Sequence, residues 1–325
     1  MKTAESVSPK HPDKICDCIS DAILDACLEQ DPYTRAGIEV MGGHGIITIT
    51  GELTTKAYVN MREIAKNIVG DKYGVQLNVI EQSPEISQGV DTGGAGDQGI
   101  MVGYACNDNE AMIPQELYLA RKLCQAIYKK YPYDGKTQIT LDDSGKIQTI
   151  VASFQNTTKE RLIECLKEWF RERKILNGDI PENIFLNPAG DWTMGGFDAD
   201  TGLTGRKLMV DNYGPQIPIG GGAFSGKDAT KVDRSGAYMA RHLAIKLLKK
   251  HEADEVTVKL AYAIGVAEPV MAVGEIKKKG IKTKVDINKT KLTPKGIIDF
   301  LDLRKPQYAE TAKWGHFGID TLWNK

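Results

Sequence analysis

Residues 36–53 are AGIEVMGGHGIITITGEL, a stretch in which apolar and polar positions alternate on both sides of a glycine-rich turn. The two alternating runs extend from Ala36 to Met41 and from Ile46 to Leu53. Alternation with a period of two around Gly42-Gly43-His44-Gly45 predicts a β-hairpin. The hairpin is the unit from which the fold of the whole chain is inferred.

Helical patterns lie on both sides of this hairpin. Apolar residues recur on one face from Pro12 to about Glu29, which predicts a helix. Proline suits the first helical position, so His11 is predicted to cap this helix. A second helix is predicted through Met61 to Ile68, with Thr54 or Thr55 as its cap.

The order helix, hairpin, helix occurs three times, with leading helices about 100 residues apart. The second and third copies are predicted at 114–131, 137–141, 146–154 and 157–170, and at 231–248, 256–264, 270–276 and 294–301. This spacing exceeds the roughly 20–50 residues of solenoid repeats. It predicts three similar α+β units, each with a mixed sheet covered by helices on one face. An uncovered apolar sheet would aggregate, so the other face is expected to contact another subunit.

The composition is typical of a globular protein and argues against a nucleic-acid-binding or membrane-spanning one. Hydrophobic residues make up 41% and charged residues 26%, as in ordinary globular proteins. A net charge of −1 argues against a general nucleic-acid binder, and no apolar run approaches the roughly 20 residues of a membrane span. The six cysteines show no C-x-x-C spacing, and no signal-peptide pattern is present. Reduced thiols without an export signal predict a cytoplasmic protein.

Residues 220–234, GGGAFSGKDATKVDR, are the richest in glycine and cations. Glycines let backbone N–H groups crowd around an anion, and lysine adds a mobile charge. From Gly221 the run fits the phosphate-loop pattern G-x-x-x-x-G-K, but Asp228 stands where that motif needs Ser or Thr. The stretch therefore predicts a polyphosphate site that is not an ordinary P-loop. The alternative is a glycine-rich surface turn before a helix.

Three further segments combine charges with turns or a helix start: 11–14 (HPDK), 134–136 (DGK) and 202–207 (GLTGRK). Each has a simpler interpretation, as charge–dipole stabilisation or as a solvated surface pair. Taken together, their cations and carboxylates suit a magnesium triphosphate. The residues are Lys14, Lys136, Arg206, Lys207, Lys227 and Lys231, with Asp13 and Asp233. No arrangement of nucleophile and base indicates covalent catalysis.

These motifs resemble those of the methionine adenosyltransferase family, also called S-adenosylmethionine synthetases. The resemblance spans essentially the whole chain and rests on nine segments in order. They are 5–8 (ESVS), 11–14 (HPDK), 51–55 (GELTT), 82–84 (QSP), 94–99 (GAGDQG), 202–207, 220–234, 262–269 (YAIGVAEP) and 315–318 (GHFG).

The resemblance implies three α+β domains related by pseudo-threefold symmetry, which we place at 1–90, 91–195 and 196–325. It implies a homodimer or homotetramer with active sites at the dimer interface. The implied reaction joins ATP and L-methionine to give S-adenosylmethionine, phosphate and diphosphate. Mg²⁺, with two ions per site, and K⁺ are the implied cofactors.

The family's functional residues carry over to matching positions. Implied catalytic residues are His11, Arg206, Lys207 and Lys227. Implied ATP or polyphosphate ligands are His11, Lys14, Asp134, Lys136, Trp192, Asp200, Arg206, Lys207, Ala223 and Lys227. Implied methionine contacts are Glu52, Gln82, Asp97, Asp200 and Lys231. Asp13 and Asp233 would hold Mg²⁺, and Glu39 would belong to the K⁺ site.

Two departures from the family pattern bear on function. The connector Gly89 to Gly94 is shorter than the lid of bacterial members, and Asp191 stands where many members have Arg. The rival hypothesis is a non-catalytic regulatory paralogue that binds nucleotide or a catalytic partner. A P-loop kinase or ATPase is a third hypothesis, which Asp228 weakens.

Overall fold

The computed structural model describes residues 1–82, 93–173 and 180–325. Within these ranges the chain forms three four-stranded sheets with helices between them, which confirms the predicted α+β class. The strands are β1 (Lys2–Val7), β2 (Arg35–Gly43), β3 (Ile46–Thr54), β4 (Gly74–Ile80), β5 (Gly99–Cys106), β6 (Gly135–Leu141), β7 (Ile147–Phe154), β8 (Asn183–Leu186), β9 (Gly202–Leu203), β10 (Glu255–Tyr262), β11 (Met271–Lys278) and β12 (Ile281–Asp286).

Helices connect these strands. They are α1 (Pro12–Leu28), α2 (Met61–Val69), α3 (Gln115–Lys130), α4 (Lys159–Glu172), α5 (Leu208–Asp211), α6 (Val232–His251), α7 (Pro294–Leu301) and α8 (Tyr308–Trp314), with short 3₁₀ helices at Gly196–Asp198 and Leu322–Asn324. Among the helices of the described ranges, none has both the length and the apolar character needed to cross a membrane.

Each sheet is built on one predicted hairpin and borrows an edge strand from another third of the chain. The sheet orders are β4-β3-β2-β9, β1-β6-β7-β8 and β12-β11-β10-β5. The borrowed strands pair antiparallel with the first hairpin strand: β9 with β2, β1 with β6, and β5 with β10. The three thirds of the chain are therefore interlocked in a closed cycle.

The third sheet differs from the other two. The outer strands β4 and β8 run parallel to their hairpin neighbours β3 and β7, so the first two sheets are mixed. In the third sheet β12 follows β11 directly and pairs antiparallel with it, as do the other described pairs of that sheet. The repeat is thus closest between the first two units.

The long helices cover one face of each sheet: α1 packs on β2 and β9, α3 on β1 and β6, and α6 on β5 and β10. Along β2 the predicted alternation is observed, with Ile38 and Val40 buried and Glu39 and Met41 exposed. The contact between α6 and β5 depends on Gly103, where a Cβ would come within 2.1 Å of the α6 backbone.

The predicted helix caps have mixed outcomes. His11 caps α1 as predicted, and Thr158 caps α4. The prediction of Thr54 or Thr55 as the cap of α2 is wrong, because β3 continues through Thr54 and the helix begins seven residues later, at Met61. Asn60 caps α2 instead, with its side chain accepting a backbone N–H of the first turn.

The domain boundaries at 1–90, 91–195 and 196–325 stay predictions. The sheets exchange strands across them, since β1, β5 and β9 each lie in a sheet whose hairpin belongs to another segment. The first boundary and most of the short connector Gly89 to Gly94 fall in 83–92, outside the described residues.

Candidate active site

Helix α1 begins directly against segment 202–207. His11 Nδ1 accepts the backbone N–H of Asp13 at 3.2 Å, and this bond fixes the imidazole at the helix start. Gly202 approaches so closely that a Cβ there would lie 2.2 Å from the carbonyl oxygen of Pro12. The absence of a side chain at this position lets the segment that carries two cations reach the helix N-terminus.

The carboxylate of Asp13 organises that contact. Its Oδ1 accepts the N–H of Leu203 at 2.9 Å, and its Oδ2 accepts from Lys207 Nζ at 2.5 Å. Arg206 Nε lies 3.8 Å from Oδ1. Burial alone would raise the pKa of Asp13, but the bonds from Lys207 and Leu203 outweigh it and lower the pKa. Asp13 is therefore a buried, ionised carboxylate beside two cations.

The imidazole of His11 stays neutral in this surrounding. Burial, followed by the charge of Lys207, lowers the pKa of His11 to about 4, and Lys136 acts in the same direction. Asp13 and Asp200 oppose the shift. Because Nδ1 accepts the N–H of Asp13, the proton of the neutral imidazole lies on Nε2, which can donate a hydrogen bond to a phosphate oxygen without adding a formal charge.

Lys14 does not reach the open side of the site. Its side chain is fully buried, and Nζ donates to Asp17 Oδ2 at 3.0 Å and to Asp211 Oδ1 at 2.6 Å. Burial raises the pKa of Asp17 to about 7, with the negative charge of Asp211 acting in the same direction and the charge of Lys14 opposing it. Two of the three N–H donors of Lys14 are thus occupied inside the fold, and its predicted contact with polyphosphate stays a prediction.

Asp134 and Trp192 border the same corner. Asp134 is buried, accepts the N–H of Gly196 at 2.9 Å, and has a pKa raised by burial. Lys136, two residues further along, is half-exposed, and its Nζ lies 3.4 Å from Glu5 Oε2. Trp192 is half-buried and packs over Gly195, where a Cβ would lie 2.9 Å from the indole ring.

The glycine run forms a second charged corner at the start of α6. A Cβ on Gly220 would lie 1.8 Å from the carbonyl oxygen of Ile100, and one on Gly222 would lie 2.2 Å from Asp233 Oδ1. These positions accept only glycine, so the run wraps the first turn of the helix. Lys227 Nζ donates to Asp233 Oδ2 at 2.6 Å, which repeats the lysine–carboxylate pairing found at α1.

The chain after the run docks on β2 instead of forming a P-loop. Ile38 N–H donates to the carbonyl of Gly226 at 3.0 Å, and Asp228 N–H donates to that of Ala36 at 3.1 Å. The Asp228 carboxylate is buried, accepts the N–H of Ala36, and pairs with Lys231. Asp228 is therefore a docking residue, which explains why a hydroxyl is absent from this position.

Among the predicted methionine contacts, Lys231 belongs to this second corner and Glu52 lies near it. Glu52 Oε2 is 3.2 Å from the position of a Cβ on Gly37, the residue that bridges to Lys227. The side-chain oxygen of Gln82 is buried and has no hydrogen-bond partner among the described residues. Asp97 is exposed just before β5.

The site residues thus form two groups, one at the start of α1 and one at the start of α6. The helix-start cluster comprises His11, Asp13, Asp134, Lys136, Asp200, Arg206 and Lys207. The glycine-run cluster comprises Lys227, Asp228, Lys231 and Asp233. Ala223 lies between them, since its Cβ is 2.6 Å from the position of a Cβ on Gly205.

Strand β2 joins the two clusters. Leu203, beside the helix-start cluster, pairs with Met41, and Lys227 bridges to Gly37. Four residues of extended strand span about 13 Å, which is the separation of the two contact points along the strand. Exposed Glu39 lies midway between them.

Comparison with known proteins identifies the family of this chain. Models of the N-terminal, central and C-terminal domains of S-adenosylmethionine synthetase match residues 1–82, 92–192 and 194–325. The chain belongs to the S-adenosylmethionine synthetase family. It is 43% identical over 358 residues to a protein of Wolinella succinogenes named S-adenosylmethionine synthase, with 97% of this chain and 92% of the relative covered. Proteins of the same name from Helicobacter hepaticus and Helicobacter pylori are 42% and 43% identical, with the same coverage.

The structure of this synthetase-family chain adds residues that sequence reasoning missed. Asp17 and Asp211 enclose Lys14, and Asp21 forms a buried two-bond pair with Arg234. A signal was present in the sequence, because Asp13, Asp17 and Asp21 recur every four residues on a helix whose other positions are largely apolar. That period places them on one helix face.

The carboxylates of the site can be compared with the ligands that the metal ions implied for the synthetase family require. The described residues hold no group of three or more His, Cys, Asp or Glu side chains arranged to bind a metal. Asp13 and Asp233 each offer one carboxylate beside a lysine. Mg²⁺ commonly binds through one or two carboxylates plus substrate phosphates. The residues therefore fit ions that arrive with a polyphosphate.

Proposed function

We propose that this protein is a methionine adenosyltransferase, which converts ATP, L-methionine and water into S-adenosylmethionine, phosphate and diphosphate. The observation that carries the proposal is the duplicated lysine–carboxylate pair. Lys207 lies on Asp13 and Lys227 lies on Asp233, each at the start of a long helix. The lysine of each pair can turn from its carboxylate toward an incoming triphosphate. The helix N-terminus beside each pair also favours an anion.

The first step is a direct displacement. The methionine sulfur attacks C5′ of ATP, the C5′–O bond breaks, and the triphosphate leaves with the electron pair. Sulfur changes from neutral to sulfonium, so the exposed carboxylates Asp97 and Asp200 favour the developing positive charge. Arg206, Lys207 and Lys227 stabilise the negative charge on the leaving group. Holding sulfur in line contributes on the order of 7–11 kcal/mol.

The second step hydrolyses the triphosphate. Water attacks a terminal phosphorus, and the products are phosphate and diphosphate. Arg206 and Lys227 polarise the phosphoryl group, and neutral His11 hydrogen-bonds an oxygen. We assign Asp134, Lys136, Trp192, Asp200 and Ala223 to the nucleotide, with Trp192 stacked on adenine. We assign Glu52, Gln82, Asp97, Asp200 and Lys231 to methionine.

Synthetases of this family generally use metal ions. We assign two Mg²⁺ ions to Asp13 and Asp233, and K⁺ to the neighbourhood of Glu39. When bound, the Mg²⁺ ions neutralise polyphosphate charge. Asp13 and Asp233 would hold the ions in place of their lysine partners, and Lys207 and Lys227 would then be available to contact phosphate oxygens.

The protein acts as a homo-oligomer in this proposal, with each active site between two copies. The support is the outer face of the first sheet, where Met41 and Ile46 are exposed by 46% and 41% and Glu39 and Glu52 lie nearby. Two clusters about 13 Å apart along β2 suit two halves of sites that a second copy completes. Sedimentation with and without ATP measures dimer or tetramer formation, and a monomer under both conditions would contradict this part. All six cysteines are free, which supports a cytoplasmic location.

The activity test is a single incubation with ATP, methionine, Mg²⁺ and K⁺, analysed by mass spectrometry. S-adenosylmethionine with equal phosphate and diphosphate is the expected result. A folded protein that binds ATP but makes no sulfonium product would instead support the regulatory-paralogue alternative. ADP as the only nucleotide product would indicate a kinase or ATPase. Omission of methionine is the control for background hydrolysis of ATP.

A further inference from the structure

Helix α1 carries four aspartates at a constant spacing of four residues: Asp13, Asp17, Asp21 and Asp25. Side chains four residues apart lie above one another on a helix. Each of these carboxylates accepts backbone N–H groups from the last third of the chain. The donors are Leu203 for Asp13, Gly205 for Asp17, Gly226 for Asp21, and Gln307, Tyr308 and Ala309 for Asp25.

Asp17 holds the residue that precedes the two cations of the helix-start cluster. Its Oδ1 accepts the N–H of Gly205 at 2.8 Å, while its Oδ2 is fixed by Lys14. Gly205 adopts a φ of +76°, so this N–H marks a turn of the chain. The carboxylate has no exposed surface, and a buried N–H that loses its acceptor costs about 1–3 kcal/mol.

Asp21 holds the residue that precedes the lysine of the glycine-run cluster. Its Oδ1 accepts the N–H of Gly226 at 2.8 Å, directly before Lys227. Arg234 donates two bonds to the carboxylate, at 2.8 and 2.7 Å, and neither side chain has exposed surface. One helix therefore sets the backbone of both lysine-bearing segments.

Building on the proposed function, we propose that Asp17 and Asp21 are positioning residues: they fix, through the N–H groups of Gly205 and Gly226, where Arg206, Lys207 and Lys227 meet the triphosphate. Neither aspartate touches substrate. Their effect is on geometry, and a displacement of about 1 Å can cost on the order of 10²-fold in rate.

The same helix provides a matched control. Asp25 continues the spacing and accepts three N–H groups, but these belong to the start of α8. No residue assigned to ATP or methionine lies on α8. Loss of the Asp25 carboxylate should therefore lower stability without changing phosphate chemistry, whereas loss of Asp17 should change both.

The experiment compares Asp17→Val and Asp17→Asn with Asp25→Val. Valine removes the acceptor at similar volume, and asparagine keeps an oxygen that can accept from Gly205. Lys14 retains Asp211 in both Asp17 variants, so no buried ammonium is left unpaired. We expect kcat to fall about 10- to 100-fold in Asp17→Val, to stay within a few-fold of the parent in Asp17→Asn, and to be unchanged in Asp25→Val. The KM for methionine should stay constant.

Calorimetric binding of tripolyphosphate gives a readout without turnover. We expect Asp17→Val to bind it about tenfold more weakly, with parental affinity in Asp25→Val. Thermal unfolding of each variant corrects for the folded fraction, and Asp17→Ala replaces Asp17→Val if the latter does not fold. Parental kcat and affinity in the Asp17 variant, or equal losses in the Asp25 variant, would overturn the proposal. A parent that binds tripolyphosphate but makes no S-adenosylmethionine would refute the proposed function and leave the positioning role to be judged from binding.

Discussion

The helix-start cluster and the glycine-run cluster contain the same pair, a lysine on an aspartate, but they are built differently. At the helix start, side chains of α1 reach out and bind the backbone of segment 202–207. At the glycine run, the backbone itself approaches its neighbours where a side chain would not fit. The first cluster therefore depends mainly on carboxylate acceptors of α1, besides the close approach of Gly202, and the second depends mainly on close approaches of glycine, besides the bond from Gly226 to Asp21. The two should fail under different substitutions.

The largest effect is expected where the glycine run docks on β2. Gly226 has a φ of +81°, and a Cβ there would lie 1.9 Å from the carbonyl oxygen of Ile38. Gly226→Ala should lower the free energy of unfolding by roughly 2–5 kcal/mol, from backbone strain plus overpacking, and abolish activity. Denaturant unfolding measures the loss.

Gly221→Ala is the control for that substitution, because Gly221 also has a positive φ but no atom within 4 Å of its Cβ position. It should cost only about 1–2 kcal/mol. Equal losses in the two variants would show that strain, and not close packing, governs the glycine-run cluster.

The next effect separates the chemical roles of the clusters. Lys227→Ala should reduce triphosphate hydrolysis on the order of 10²-fold, because a preorganised cation aimed at the phosphoryl group is lost. ATP binding should change far less. Release of phosphate from added tripolyphosphate measures the hydrolysis rate. Lys278→Ala, at the end of β11, is the control, and a hydrolysis rate equal to the parent's in Lys227→Ala would remove Lys227 from this step.

Acid should distinguish the clusters because only the helix-start cluster contains a histidine. The pKa of His11 is lowered from 6.5 to about 4 in the fold by burial and Lys207. The unfolded chain therefore binds the proton more readily between pH 6.5 and 4, so stability falls as the pH is lowered through this range. By pH 5 the loss amounts to about 2 kcal/mol.

His11→Asn tests this sensitivity, because asparagine is also a good helix cap but does not titrate. Urea unfolding at pH 7 and pH 5, without nucleotide or metal, should show a smaller difference between the two pH values in the variant than in the parent. The same pH dependence in both proteins would assign the acid sensitivity to other groups.

The smallest effect concerns the aromatic border of the helix-start cluster. Trp192→Ala should raise the KM for ATP about 2- to 12-fold if the indole stacks on adenine. Met194→Ala, an exposed neighbour at 64%, should leave the KM unchanged. An unaltered KM in the tryptophan variant would remove the stacking assignment.

Sequence patterns predicted the parts of the fold in which one periodicity dominates. The hairpins, the long helices and the His11 cap follow from alternation, apolar stripes and Pro12. The borrowed strands β1, β5 and β9 were missed, because an edge strand is defined by its partner and the two-residue β9 has too few positions to show a period. The pairing of strands that are distant in the sequence cannot be read from the residues of either strand alone.

The candidate site shows the same limit. Sequence motifs singled out the charged segments that the structure brings together at the starts of α1 and α6, but they did not reveal which way each side chain points. Lys14 was grouped with its neighbours, yet helical rotation turns it inward toward Asp17 and Asp211. Asp228 was interpreted as a flaw in a P-loop, whereas it docks the loop on β2. The direction in which a side chain points depends on packing between segments that are distant in the sequence.

The cyclic exchange of edge strands has a consequence for biosynthesis. Strand β2 ends at Gly43, but its neighbour β9 is at Gly202–Leu203, about 160 residues later. At roughly 5–20 residues per second, the ribosome needs on the order of 10–30 s to supply it. During that interval the edge of the first sheet is open to other nascent chains. We therefore expect the first third of the chain to need protection by chaperones until β9 has been synthesised.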